Sequence, residues 1–204
     1  MSDLDDPRCE VLVLGIGNLL WADEGFGVRC VERIAAEWSV PEGVTVMDGG
    51  TQGLYLLPYV QGAQRLIVFD AIDYGLPPGT MKRVEGDEVP RFMGAKKMSL
   101  HQTGFQEVLM AAEMTAQPPE ELVLIGVQPE ELEDYGGSLR PAVRERIADA
   151  LALALDQLRA WGFPARPGAD RVPLNDGSLA IERYESERPS AEAACRVGDA
   201  RFLR

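Results

Sequence analysis

Three residues have the types that could do chemistry together: Glu24, Asp70 and His101, the only histidine in the chain. One imidazole and two carboxylates make an open site for a divalent transition ion. No local motif such as H-E-x-x-H joins them, so the fold must bring them together. Each has an alternative reading. Glu24 could complement a helix dipole. Asp70 could close a strand as a turn former. His101 could be an ordinary loop histidine. Asp70 follows "LIVF" directly, however. A carboxylate buried there needs a partner or a metal.

Elements with the right direction must hold these groups. "CEVLVLG" (9–15), "GVTVMDGG" (43–50), "QRLIVFDAID" (64–73) and "ELVLIGVQP" (121–129) are aliphatic runs of the kind buried on both sheet faces. Helices are predicted over 24–38, 51–62 (broken near Pro58), 99–115 and 138–162, the last ended by Gly162. "TMKRVEG" (80–86) alternates like an edge strand, and 87–100 is irregular. Alternating strands and helices predict a three-layer α/β/α sandwich with a mostly parallel sheet of about five strands. Residues 1–163 form the expected domain. Residues 164–204, rich in Pro, Gly, Ala and Arg without a sustained period, are expected to be a loosely held tail.

Ligands of open α/β sheets bind beyond the carboxyl ends of the strands. Asn18, Asp23, Glu24, Asp48, Asp70, Asp73, His101, Gln102, Gln128 and Glu130 all fall at that edge. The turn "GIGNLL" imitates a dinucleotide loop but has Leu20 at the third glycine position. Asp23 and Glu24 would also oppose a pyrophosphate, so nucleotide binding is disfavoured. Asp48, Gly49, Gly50 and Thr51 end the second strand. The glycines permit close backbone approach, and this segment either holds an extended ligand or is a plain turn.

The 204 residues carry a net charge of -13, which disfavours nucleic acid and anionic membranes as partners. Three scattered cysteines are a poor disulfide framework and point to the cytoplasm. Cys9 and Cys30 read as packing residues. No apolar run is long enough for a membrane span, and no exposed apolar seam argues against a monomer.

Five blocks in order, "VLGIGNLLWADEGFGVR", "DGGTQGLYLL", "FDAIDYGLPPGT", "SLHQTGFQEVL" and "LVLIGVQPEELE", resemble the maturation endopeptidases of nickel–iron hydrogenases. The likeness covers about residues 10–161 and is greatest to members serving membrane-bound uptake hydrogenases. It implies a protease that removes a C-terminal extension from the nickel-loaded large-subunit precursor. The cut is expected after a basic residue just beyond the last nickel-binding cysteine motif. The resemblance places Glu24, Asp70 and His101 as metal ligands and nickel as a metal carried in by the precursor, although another divalent ion could occupy the site in a crystal. Asp70 or Glu24 would activate water, and Asp48, Gly49, Gly50 and Thr51 would hold the precursor. The alternative is a nickel-binding escort for the precursor without peptidase activity.

Overall fold

The computed structural model describes residues 7–89, 100–168, 174–175 and 179–187, without the side chains of 100–104. In chain order the elements are β1 (Cys9–Ile16), α1 (Phe26–Glu37), β2 (Trp38–Ser39), β3 (Val44–Gly50), α2 (Leu57–Gly62), β4 (Ala63–Ala71), β5 (Met81–Glu85), α3 (Leu100–Met114), β6 (Glu121–Val127), α4 (Pro141–Arg144), α5 (Ile147–Ala160), β7 (Arg166–Pro167) and α6 (Ile181–Glu187). Short 3-10 turns at Ala22–Gly25 and Gly53–Leu56 precede α1 and α2.

The main sheet has five strands in the order β3-β1-β4-β6-β5. The first four are parallel, and β5 closes the edge antiparallel to β6. The continuous apolar runs work because successive side chains leave a strand on opposite faces. Val11, Val13, Ile67, Phe69, Val123 and Ile125 face α1, α4 and α5. Leu12, Leu14, Ile16, Leu66, Val68 and Leu124 face α2 and α3. This is the α/β fold expected, with a core on each side of the sheet.

The chain runs from β1 outward to β3, then crosses back past β1 to β4. The order therefore reverses between β1 and β4, which makes the crevice beyond their carboxyl ends the natural ligand position. Two glycines let α1 sit close to that point. A side chain at Gly27 would collide with the carbonyl oxygens of Ile16 and Phe69, and one at Gly15 with that of Gly27. The missing third glycine of "GIGNLL" does not loosen this contact. Gly27, further along the chain, supplies the close helix–strand approach instead.

Several boundaries differ from the sequence reading. Pro58 does not break a helix; it occupies the first turn of α2, where its missing N–H costs nothing. The helix expected over 138–162 is two, α4 starting at Pro141 and α5 at Ile147. Val143 and Ile147 keep helical spacing across the intervening turn and both face the core, which hides the break in the sequence. Gly162, at φ 90°, ends α5 while the Phe163 N–H donates to the Leu158 carbonyl at 2.8 Å.

The described parts of 164–204 make defined contacts. β7 pairs antiparallel with β2, and the Gly168 N–H donates to the Glu37 carbonyl at 2.9 Å. Leu174 and Ile181 pack against the α1 side of the core. Among the described residues no helix is long and apolar enough to cross a membrane.

Candidate active site at the switch point

Glu24 is placed by the turn that follows β1. Gly17, at φ 136°, donates its N–H to the Gly50 carbonyl, and Asn18 Oδ1 accepts the Leu20 N–H at 3.0 Å. Ala22 takes the left-handed conformation at φ 42°, rare for a residue with a side chain. Asp23 and Glu24 then lie in the 3-10 turn, ahead of α1 rather than in its first turn, and α1 has no side-chain cap. The pair thus stands at the N-terminal end of the helical segment, but neither side chain caps α1.

The two neighbouring acids have different surroundings. Asp23 is fully buried and satisfied. Its Oδ2 accepts the N–H groups of Glu130 and Glu131 at 2.8 and 2.9 Å, and Oδ1 accepts that of Arg140 at 2.7 Å. Burial pushes its pKa up, while these main-chain donors and the Arg140 charge pull it down. Asp23 thereby ties the turn after β1 to the loop after β6. Trp21 and Tyr135 add a T-shaped ring contact at 5.3 Å across the same seam.

Asp70 lies on β4 opposite Gly126 of β6 and is wholly buried. Its Oδ1 accepts the N–H of Ala71 at 2.8 Å, but its Oδ2 is buried with no hydrogen-bond partner among the described residues. Burial first, and the nearby Glu24 charge in addition, hold the Asp70 carboxyl well above the usual carboxylate range. Glu24 is 8% exposed, and burial pushes its carboxyl up to about 7. The phenol of Tyr74 fills the space that a side chain at position 126 would take. Its pKa is raised by burial and by the Asp70 charge. The buried Asp70 Oδ2, without a hydrogen-bond partner among the described residues, calls for a proton or a cation.

Of the three expected ligands, Glu24 and Asp70 are both buried at this edge, near enough for the Glu24 charge to act on Asp70. His101 lies in the first turn of α3, and its side chain falls outside the described residues. Among the described residues no group of three or more His, Cys, Asp or Glu side chains surrounds a common point.

Asp48 stands apart from this pair, although β3 runs beside β1 with Asp48 opposite Gly15. Its Oδ1 accepts the Gly50 N–H and its Oδ2 the Asn175 amide, both at 2.8 Å. The charges that act on it are those of Glu32 and Arg29. Gly49 lies over Leu14 and Ile16, where a side chain would crowd both, while Thr51 is an exposed turn residue. Gln128 organises the turn after β4: its Oε1 accepts the N–H groups of Tyr74 and Leu76, and its Nε2 donates to Asp73. Cys30 is buried in α1 and Cys9 half-buried at the start of β1. The sequence does not show the roles of Asp23, Asn175 and Tyr74. Only Asp23 carried a signal, its place beside Glu24.

The raised Glu24 pKa has a consequence for stability. Between about 4.5 and 7 the folded protein holds a proton that the unfolded chain releases. This contribution to stability is full below 4.5 and is lost as pH rises through 7, a change of roughly 3 kcal/mol. The urea midpoint of the metal-free protein should fall from pH 5 to pH 7.5, and Glu24→Gln should flatten that slope. An unchanged slope in the variant would show that Glu24 titrates normally.

Fold and site define an α/β domain with two buried carboxylates, Glu24 and Asp70, at the carboxyl edge of its parallel strands. The hydrogenase maturation protease family model (HycI) matches residues 28–157, and the chain belongs to that family of hydrolases. It is 57% identical over 197 residues to the hydrogenase expression/formation protein HoxM of Cupriavidus necator, covering 95% of this chain and 98% of that one. It is 60% identical over 194 residues to HupD of Rhodobacter capsulatus, covering 95% and 92%. Among solved structures, the hydrogenase maturating endopeptidase HybD from E. coli superposes with a TM-score of 0.74 at 40% identity, covering 79% of this chain and 99% of that one.

Proposed function

We propose that this protein is the cytoplasmic endopeptidase that removes the C-terminal extension of a nickel-loaded hydrogenase large-subunit precursor, with Glu24, Asp70 and His101 engaging the nickel. The observation that carries this reading is the unpartnered, buried Oδ2 of Asp70 beside Glu24. Burial shifts both carboxyls upward, so an arriving cation binds the pair in competition with protons. Such a site suits a metal presented by the substrate. Nickel in the precursor is then both the recognition signal and a Lewis acid beside the scissile bond. One carboxylate of the pair positions and deprotonates the attacking water. Asp48, Gly49, Gly50 and Thr51, at the end of the neighbouring edge strand, hold the precursor segment. The protease acts as a monomer.

The test is incubation of the purified protein with nickel-loaded and nickel-free precursor, read by the size of the product. A size drop confined to the nickel-loaded form and lost in His101→Ala supports the reading. Tight binding of an intact precursor would make the protein an escort. Equal cleavage of both forms would remove nickel from the mechanism.

A further inference from the structure

Asp48 is held by a residue from the far end of the chain. The Asn175 Nδ2 donates to Asp48 Oδ2 at 2.8 Å and to Glu32 Oε1 at 2.9 Å. One neutral amide thus bridges two carboxylates that would otherwise repel. Glu32 is also held by Arg29 at 2.8 Å, and the buried Arg29 donates from the same nitrogen to the Leu179 carbonyl at 2.6 Å. Further along, Glu185 accepts from Ser138 at 2.6 Å and pairs with Arg144. The described residues of 174–187 are therefore anchored on α1, β3 and α4 at separate points.

The consequence concerns the orientation of Asp48. The Gly50 N–H fixes Oδ1, but one bond leaves the carboxylate free to tilt. The Asn175 amide supplies the second point, at the end of an edge strand beside the switch point. We propose that Asn175 is a positioning residue for precursor recognition, setting the Asp48 carboxylate through the Asp48–Asn175–Glu32 bridge. This inference rests on the proposed function, in which the Asp48 segment holds the precursor. Asn175 neither touches the Glu24–Asp70 pair nor takes part in bond cleavage. Its loss weakens recognition without slowing the chemical step.

The experiment is steady-state cleavage of nickel-loaded precursor by the full-length protein and its Asn175→Ala and Asn175→Asp variants. A hydrogen bond to a charged group, worth about 1.5 kcal/mol, corresponds to about tenfold. Asn175→Ala should raise KM by about tenfold with kcat retained. Asn175→Asp, of the same size but placing a third carboxylate beside Asp48 and Glu32, should raise it further. A purely structural role would reduce the active fraction, and hence the apparent kcat, at constant KM. That outcome, or an unchanged KM in both variants, overturns the inference. Failure of the unaltered protein to cut would instead overturn the function on which it rests.

Discussion

Asp70→Asn should abolish precursor cleavage and at the same time make the metal-free protein more stable. The carboxylate is wholly buried, has one unpartnered oxygen and lies within reach of the Glu24 charge. Because its folded pKa is raised, ionisation near neutrality costs folding energy, and this cost grows as pH rises from the unfolded value. An amide has the same shape and no charge to desolvate. A gain of about 1–3 kcal/mol follows, or roughly 5 °C in Tm for a chain of this size. The same substitution removes a proposed nickel ligand and a candidate proton acceptor, lowering kcat by about 10²–10⁴-fold. Thermal melting and a cleavage gel on one preparation check both. A fall in Tm together with retained cleavage would make Asp70 a structural residue and end the site assignment.

Asp23→Ala should have the opposite effect on stability. Here the buried carboxylate is saturated by the main-chain N–H groups of Glu130, Glu131 and Arg140. Truncation leaves those donors in a site with no replacement acceptor. Removing the partner of buried donors costs about 1–3 kcal/mol for each, so a total near 4 kcal/mol is expected. Asp23→Asn should fall between, since its single oxygen can still accept from Glu130 and Glu131. The urea midpoint at neutral pH measures the order. Equal stability of all three proteins would mean that water or rearranged backbone replaces Asp23. Two buried aspartates thus respond with opposite signs because one is satisfied and the other is not.

The sequence by itself determined the sheet, the edge on which the candidate site lies and the residues on that edge whose types call for explanation. Aliphatic runs such as "LIVF" admit few polar residues, so an acid directly after one stands out, as Asp70 does. The strand 9–15, the turn "GIGNLL" and the helix start at 24 likewise place Glu24 at a strand end. Those signals are local, because period and burial are written along the chain. The tertiary structure alone decided what each polar residue touches. Asp23 looked equivalent to Glu24, but its partners are main-chain N–H groups more than a hundred residues away, and an N–H has no signature in sequence. The hold of Asn175 on Asp48 was equally invisible, because a compositionally irregular segment shows no period even where it is pinned by specific hydrogen bonds. Burial and hydrogen-bond satisfaction are properties of surroundings assembled from distant residues, and it is these that separate the satisfied carboxylate of Asp23 from that of Asp70 with its unpartnered oxygen.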